Sequence, residues 1–199
     1  MCPNAVLRRY TSAVERIIIG ISGASGVQFG VRALELLAPL DIETHLVMSR
    51  SAELTVHHEM DCSVEDIRKL ADYWHPIKNV GASIASGSFQ NLGMLIAPCS
   101  IRTLGEIVSG VTSTLLTRSA DVALKERRRL VLMVRETPLH LGHLRNMVAA
   151  TEMGAVIAPP APAFYTRPET VSDLITQSVS RALDLFSIDL PETKRWTES

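Results

Sequence analysis

The sequence predicts one α/β domain built on a doubly wound parallel sheet with helices on both faces. Five apolar runs, near residues 17, 44, 95, 131 and 156, have the composition of buried strands. Segments with apolar residues at helical spacing lie between them, an alternation that is typical of Rossmann-like and flavodoxin-like sheets. The chain has 199 residues, of which 46% are hydrophobic and 21% charged, so one domain can bury a full core.

The first element is an isoleucine-rich strand that leads into a glycine-rich turn, GISGASG at residues 20–26, and a helix predicted to open at Ser25. Glycines let backbone N–H groups approach an anion, and the positive end of the helix dipole points to the same place. The spacing of Gly20, Gly23 and Gly26 differs from the dinucleotide-binding fingerprint. FMN is therefore as plausible a ligand as NAD, and a plain glycine turn without a ligand stays open.

Hydroxyl side chains follow the second strand and a later loop. The strand over residues 43–48 ends at Ser49, which is placed to cap a helix over residues 50–59. Ser49 also lies at the carboxyl end of a parallel strand, where such sheets bind ligands. Residues 73–93 have no regular pattern, and the small, hydroxyl-rich stretch around Ser86 predicts a loop on the ligand side. Capping alone would explain Ser49, and an ordinary surface loop would explain Ser86.

The central strand, over residues 94–97, is entirely apolar and leads into a helix start that is rich in hydrogen-bond donors. Ser100 and Thr103 supply hydroxyl groups there, beside the first free amides of the helix. Cys99 is expected to be a buried packing residue, because no neighbour in the sequence would activate its thiol.

A predicted helix over residues 112–125 places Arg118, Asp121 and Lys125 on one face. Such a group is most often a set of solvated ion pairs that contributes little to stability. The alternative is that the two cations are presented to phosphate groups.

Arg135 and Glu136 follow directly after the next buried strand. A guanidinium beside a carboxylate at this position indicates a site rather than surface decoration, because arginine can hold a phosphate while glutamate transfers protons. In the following helix, over residues 139–153, the pair His140 and His143 lacks a third ligand. A capping or surface role is therefore favoured over a metal.

The final strand, over residues 155–158, precedes a proline-rich segment that carries Tyr165 to a fixed place. The last helix, over residues 169–186, is amphipathic. Arg181 lies at the border of its apolar stripe, where the guanidinium either snorkels to water or turns inward to an anion. The carboxyl ends of strands are followed by the glycine turn, Ser49, the loop around Ser86, the Ser100 loop, the Arg135–Glu136 segment and the segment after the prolines, so these are predicted to converge on one crevice.

Bulk charge and cysteine content exclude several functional classes. A net charge of −1 gives no broad field for nucleic acid or anionic membranes, and no apolar run approaches the length of a membrane span. The three cysteines fit neither a disulfide framework nor a zinc site, and a reducing, cytoplasmic setting is expected. Residues 1–15 are expected to be an extension, with a targeting peptide as the alternative, residues 16–190 the folded domain and residues 191–199 a tail.

The motifs together resemble those of the flavin prenyltransferases of the UbiX/Pad type, over about residues 16–196. ADVALKERR and RETPLHL are specific, because they are not general Rossmann patterns. The matching stretches are GISGASG (20–26), ETHLVMS (43–49), SGSF (86–89), PCSIRTL (98–104), TRSADVALKERRRLVLMVRETPLHLGHL (117–144) and PPAPAFYTRPET (159–170).

The resemblance implies an enzyme that joins a dimethylallyl group from dimethylallyl phosphate to N5 and C6 of reduced FMN, without a metal. The product, prenylated FMN, would serve a UbiD-type decarboxylase. It also implies a homo-oligomer, a dodecamer, in which neighbouring subunits supply some ligand contacts. Relative to the commoner family form, Arg102 stands where lysine is frequent and Ser119 replaces an alanine; neither removes a required charge.

Site residues follow from the resemblance, position by position. The acidic pair near the chemistry would be Glu59 and Glu136. The FMN site would comprise Gly23, Ala24, Ser25, Ser49, Ser100, Ile101, Arg102, Thr103 and Arg118. The dimethylallyl phosphate site would comprise Ser86, Lys125, Arg135, Tyr165 and Arg181.

Two other functions stay open at this point. One is an FMN-dependent decarboxylase of the peptidyl-cysteine type, although the early histidine and the asparagine-rich motif expected of such enzymes are not evident in the sequence. The other is a non-catalytic, flavin-carrying subunit of a decarboxylase.

Overall fold

The computed structural model describes residues 14–196, which form a six-stranded sheet in the order β3-β2-β1-β4-β5-β6 with every pairing parallel. The predicted fold class is confirmed. Predictions about residues 1–13 and 197–199 lie outside the described residues. The strands are β1 (Glu15–Ile21), β2 (Ile42–Met48), β3 (Tyr73–His75), β4 (Gly93–Cys99), β5 (Arg129–Val134) and β6 (Val156–Ile157).

Helices cover both faces of the sheet, as the alternating pattern predicts. They are α1 (Gln28–Leu37), α2 (Arg50–Glu59), α3 (Val64–Arg68), α4 (Ile101–Val108), α5 (Leu115–Lys125), α6 (Leu141–Glu152) and α7 (Val171–Asp184), with short 3₁₀ turns at Ser83–Ala85 and Phe164–Thr166. The strand order reverses between β1 and β4. A crevice therefore opens at the carboxyl ends of these two strands, where open α/β sheets bind their ligands.

The strands divide the core into two apolar layers. Alternate residues of β1 face opposite layers: Ile17 and Ile19 pack with α1 and α7, whereas Ile18 packs with α4 and α5. All three are at most 2% exposed. Each such aliphatic side chain contributes about 1.5–3 kcal/mol through burial, which fixes the sheet that positions the site.

Helix starts are the least accurate part of the sequence prediction. The first helix begins at Gln28 rather than at Ser25, because Gly26 has a φ of +99°, which is incompatible with a right-handed helix. The fifth and seventh helices begin directly after Thr114 and Thr170, each of which forms a capping box. The sequence placed both starts two or three residues too early.

Strand β3 (Tyr73–His75) was wrongly interpreted as irregular chain. It has only three residues, two of them exposed, and it lies at the edge of the sheet beside β2. So short a segment has no detectable alternation. In the same region, the capping box of Ser63 and Asp66 is confirmed. Among the described helices, none combines the length and the apolar character that a membrane crossing requires.

Candidate active site

The N-termini of three helices meet at a cavity of about 370 Å³ on the carboxyl side of the sheet. Their N-cap residues are Ser49 for α2, Ser100 for α4 and Thr114 for α5, and all three line the cavity. The positive ends of three helix dipoles therefore point into one space. This arrangement favours a bound anion such as a phosphate group.

Each capping hydroxyl satisfies only one of the free amides at its helix start. The Ser49 hydroxyl accepts from the Ala52 amide at 3.0 Å, and the Ser100 hydroxyl accepts from the Thr103 amide at 3.2 Å. Other first-turn amides have no intrahelical partner, as at any helix N-terminus. They are donors that a phosphate can use.

Cationic side chains add to the positive potential of the cavity. Arg50, Lys78 and Arg102 line it, opposed by a single carboxylate, Glu106, to which Arg102 Nε donates at 2.8 Å. The side chain of Arg102 is 80% exposed, so this ion pair leaves the guanidinium available to a ligand.

The glycine turn lies against the start of α2 at a distance that only glycine allows. A Cβ added to Gly23 would lie 2.2 Å from Cβ of Ser51. The fully buried Ser22 holds the turn from the other side: its hydroxyl donates to the Pro98 carbonyl at 2.9 Å and accepts from the Ser100 amide at 2.7 Å. These contacts join the ends of β1 and β4 across the crevice.

The cavity brings together about half of the residues expected to bind FMN. Its lining includes Gly23, Ser49, Ser100, Arg102 and Thr103, but not Ala24, Ser25, Ile101 or Arg118.

Several other lining residues were not predicted from the sequence. The signal for Thr114 and Thr117 was their capping-box spacing, whereas nothing local indicated the other missed residues, Arg50, Ser51, Ile77, Lys78, Glu106, Ser113 and Leu116.

A second cluster lies at the start of α1. One carboxylate oxygen of Glu59 accepts from the amides of Gly26 and Val27 at 2.8 and 3.3 Å. Burial raises the pKa of Glu59, but hydrogen bonds from the Ser25 hydroxyl and these two amides, together with the charge of Arg135, outweigh it and hold the pKa below its ordinary value. The expected phosphate position at this helix is thus filled by a side chain.

Arg135 and Glu136 lie at the carboxyl end of β5, as predicted. The Arg135 amide donates to the Cys99 carbonyl at 3.0 Å, which fixes the start of this loop beside β4. The Glu136 side chain is exposed, and its Oε1 accepts from the Thr137 amide at 3.0 Å. Neither Arg135 nor Glu136 is among the residues that line the cavity at the three N-caps.

Ser86 and Lys125 lie at the amino ends of the strands, so the prediction that the loop around Ser86 joins the crevice at the carboxyl ends is wrong for a single chain. Lys125 ends α5, directly before the amino end of β5, and pairs with Glu126 beside the loop at Gly87. Since β5 has six residues, its amino end lies about 20 Å from Arg135, which follows its carboxyl end. Hydroxyl residues that lie near a strand in the sequence do not indicate which end of that strand their loop adjoins.

Tyr165 and Arg181 form a further group beside α7. The Tyr165 hydroxyl donates to the Lys194 carbonyl at 3.3 Å, and Arg181 pairs with Asp184 instead of extending freely into water.

On α5, Arg118 pairs with Asp121 at 2.6 Å and shares the outward face with Lys125.

The remaining candidates have structural roles. His140 caps α6 by accepting from the Gly142 amide at 3.0 Å, and within residues 14–196 no group of three potential metal ligands occurs. Cys99 is fully buried, and burial raises the pKa of its thiol to about 12, which makes it unreactive. The capping role of His140 and the buried packing role of Cys99, both expected from the sequence, are confirmed.

Comparison with known proteins agrees with this geometry. The Flavoprotein family model matches residues 7–180. A flavin prenyltransferase UbiX of Escherichia coli K12 is 59% identical over 186 residues, covering 92% of this chain and 98% of the relative. The crystal structure of AnUbiX (PadA1) in complex with FMN and dimethylallyl pyrophosphate has a TM-score of 0.92 at 49% identity, covering 94% of this chain and all of that one.

Two further structures bear on assembly and on the alternative functions. A dodecameric FMN-dependent UbiX-like decarboxylase from Escherichia coli O157:H7 has a TM-score of 0.90 at 44% identity, covering 92% of this chain and all of that one. An FMN-dependent cysteine decarboxylase, TvaF, has a TM-score of 0.60 at 15% identity, covering 84% and 99%. The second likeness extends to the fold alone.

Proposed function

This chain belongs to the flavin prenyltransferases of the UbiX type, and from that membership we propose that it transfers a dimethylallyl group from dimethylallyl phosphate to reduced FMN. The observation that carries the proposal is the cavity at the switch point, where three helix N-termini and three cationic side chains surround a space suited to a phosphate-bearing ligand. A mononucleotide needs one such site, and the chain has further cations for a second phosphate.

The residues of the cavity fit FMN. Its phosphate would lie among the N-caps Ser49, Ser100 and Thr114, with Arg50 and Lys78 neutralising its charge. Gly23 lets the β1 turn lie against the start of α2, beside the N-cap Ser49. When bound, reduced FMN supplies the N5 and C6 atoms that accept the dimethylallyl group.

The prenyl donor would bind next to the flavin, at the cluster around Glu59. Arg135 lies close enough to lower the pKa of Glu59, so the carboxylate is ionised at neutral pH and holds the Ser25 hydroxyl. We assign Arg135 to the donor phosphate, with Lys125, Tyr165, Arg181 and Ser86 as further contacts. Breaking the allylic C–O bond leaves two electrons on the phosphate oxygen, and preorganised guanidinium and ammonium groups stabilise that charge without a metal.

Proton transfer is assigned to Glu136. Formation of the bond to C6 adds a proton to the double bond of the prenyl group and removes one from C6, and either the released phosphate or a carboxyl group can give and accept these protons. The Glu136 side chain is exposed at the carboxyl end of β5, whereas Glu59 already accepts two backbone hydrogen bonds. Glu136 therefore has the freer carboxylate for relaying protons, and Glu59 orders the turn that faces the donor.

A complete site requires a second copy of the chain. Lys125 and Ser86 lie about 20 Å from Arg135, at the other end of the strands. They can serve the same substrate as Arg135 only if a neighbouring copy supplies them. Helix α6 offers an apolar contact surface, since Leu141, Leu144 and Val148 are 59%, 45% and 58% exposed. We propose a closed homo-oligomer, a dodecamer like the structural relative.

The direct test is the mass of the flavin. The protein is incubated anaerobically with reduced FMN and dimethylallyl phosphate, and the flavin is then extracted and measured by mass spectrometry. A gain of one dimethylallyl group supports the transferase. Unchanged FMN would support a flavin-carrying subunit, and loss of carbon dioxide from added carboxylic acids without flavin modification would support a decarboxylase.

The product is proposed to serve a UbiD-type decarboxylase. The supporting observation is the family membership, and activation of an apo-decarboxylase by the reaction mixture tests it. A cytoplasmic location is also proposed, supported by Cys62 and Cys99, which are both free thiols.

A further inference from the structure

The segment over residues 193–196 is fastened along one face of α7. Gln177, only 4% exposed, binds both backbone groups of one residue: its Oε1 accepts from the Lys194 amide at 3.0 Å, and its Nε2 donates to the Lys194 carbonyl at 2.9 Å. A buried side-chain amide that pairs with both backbone groups of a single residue fixes the position and direction of the chain there.

Arg195, the residue after Lys194, anchors the same segment to the end of α7. Its two terminal nitrogens donate to the two carboxylate oxygens of Asp184, both at 2.8 Å, and one of them also donates to Asp189 at 2.9 Å. Such a two-pronged pair is among the stronger surface contacts, because the planar guanidinium matches the carboxylate. Asp184 also pairs with Arg181, so two guanidiniums share one carboxylate.

The segment also contacts Tyr165. The tyrosine hydroxyl donates to the Lys194 carbonyl at 3.3 Å, and the ring meets Trp196 edge-on with 5.6 Å between ring centroids. Tyr165 and Arg181 are the two residues of α7 and the preceding loop that are assigned to the prenyl donor. Both touch this segment or its anchor.

Helix geometry explains why these contacts belong together. Gln177, Arg181 and Asp184 have the spacing i, i+4, i+7 and lie on one face of α7. The segment follows that face, with Lys194 at one anchor and Arg195 at the other. Arg181 lies between the two anchors.

We propose that residues 193–196 form a strap that positions Tyr165 and Arg181 for the phosphate of the prenyl donor, with Asp184 and Arg195 as positioning residues. This inference rests on the proposed function. Arg195 binds both oxygens of Asp184, whereas Arg181 donates to one of them through a single nitrogen, so Arg181 keeps its other N–H donors for the substrate. Without Arg195, the full charge of Asp184 is available to Arg181 and competes with the donor phosphate.

The kinetic test compares the variants Arg195→Gln and Arg195→Gln/Asp184→Asn. The single variant is expected to raise KM for dimethylallyl phosphate about tenfold, which equals about 1.4 kcal/mol, with kcat and the Kd of FMN nearly unchanged. The double variant is expected to restore KM, because the competing charge is gone. Lys69→Gln, which removes an exposed pair with Asp66 at the end of α3, is the control and should leave KM unchanged.

Two kinetic outcomes would overturn the proposal. One is an unchanged KM in Arg195→Gln. The other is a double variant that is as impaired as the single one, because a strap with a merely structural role would be loosened further by the second change. Arg195→Lys, which keeps the charge but loses the paired geometry, should give an intermediate KM.

A measurement without substrate separates this inference from the proposed function. The chain has two tryptophans, so Trp74→Phe leaves Trp196 as the only one. The fluorescence anisotropy of Trp196 should fall when Arg195→Gln is added, because the strap loses an anchor. If the wild type fails to prenylate FMN, the proposed function fails while the anisotropy still tests the strap; an unchanged anisotropy contradicts the strap itself.

Discussion

The carboxylate of Glu59 lies 2.8 Å from the amide nitrogen of Gly26 and fills the N-terminus of α1. A glycine-rich turn before a helix is usually taken to cradle a phosphate at this place. Here the protein provides its own anion from the last residue of α2. The phosphate site proposed here is therefore at the other three helix starts, those at Ser49, Ser100 and Thr114.

Glu59→Gln is expected to lower the free energy of unfolding by about 1 kcal/mol at pH 7, since the charged acceptor at a helix N-terminus is lost. The folded-state pKa of Glu59 is below its ordinary value, so its contribution is present at neutral pH and disappears as the pH falls through the folded-state pKa. Urea unfolding at pH 7 and pH 4 measures this.

The matched control is Glu65→Gln, which removes an exposed carboxylate on α3. It should change the free energy of unfolding by only a few tenths of a kcal/mol. A difference between Glu59→Gln and the wild type that is equally large at both pH values would show that the side chain acts through packing rather than through its charge.

Gly23→Ala tests the close approach of the β1 turn to α2. The new Cβ would lie 2.2 Å from Cβ of Ser51, so the turn or the helix start must move by more than an ångström. We expect the Kd of FMN to rise at least about tenfold, together with a loss of about 1–3 kcal/mol in unfolding free energy.

Gly81→Ala is the control for that change, because the nearest atom to an added Cβ there is 3.8 Å away. It should leave both the Kd of FMN and the stability within the error of the wild type. Flavin titration by fluorescence quenching gives the Kd. Equal effects of the two substitutions would contradict the packing argument.

The sheet and most of its helices could be predicted because their signals are local. The apolar runs of β1 and β4, and the capping box of Ser63 and Asp66 before α3, each lie within a few residues of the element they specify. Strand β3 escaped prediction because it is stabilised by pairing with β2 and not by its own three residues.

The site was predicted less completely, because its contacts join distant parts of the chain. Glu59 meets Gly26 across 33 residues, and the Ser22 hydroxyl reaches Ser100 across 78. No periodicity records such pairings. The family resemblance indicated which residues belong to the site but not where they lie in the fold. It therefore did not show that Lys125 and Arg135 lie at opposite ends of β5.

The unfolding free energy is expected to depend on pH through His75. Its Nε2 lies 2.9 Å from Nδ1 of the buried His45, whose other nitrogen pairs with Glu43 at 2.8 Å. Burial, and then the charge of His45, hold the pKa of His75 below its ordinary value. The unfolded chain therefore binds more protons, and stability falls as the pH drops below about 6.5.

Unfolding of the wild type and of His75→Gln between pH 5.5 and 7.5 measures this dependence. The wild type should lose up to about 1.4 kcal/mol per pH unit, and the variant should show a smaller slope. His58→Gln, on the exposed face of α2, should keep the wild-type slope. A steep slope that survives in His75→Gln would assign the dependence to other groups.

Glu136→Gln is expected to reduce kcat by about 10²–10⁴-fold while FMN still binds, because the amide cannot relay a proton. Single-turnover kinetics with preloaded reduced FMN isolates the chemical step. Glu152→Gln, an exposed carboxylate at the end of α6, is the control and should retain activity. Full activity in Glu136→Gln would remove this residue from the mechanism.

The distance between Lys125 and Arg135 leads to a prediction about mixed oligomers. Lys125→Ala and Arg135→Ala should each be inactive alone, because each removes a cation from every site. When the two variants are co-expressed in equal amounts, a site that takes Lys125 from one copy and Arg135 from another has an intact pair in about a quarter of random arrangements. Mixed oligomers should therefore recover about a quarter of wild-type activity.

Arg135 and Glu136 are adjacent in sequence, so under the proposed assignment one copy supplies both, and they provide the matched control. Co-expression of Arg135→Ala with Glu136→Gln should recover nothing, since no single copy then carries both groups. Tagging the two variants differently and purifying through both tags confirms that the oligomers are mixed. If mixed oligomers of Lys125→Ala and Arg135→Ala stayed inactive, the two cations would have to act within one chain, and the separation of about 20 Å would have to close by a large movement of α5 against the sheet.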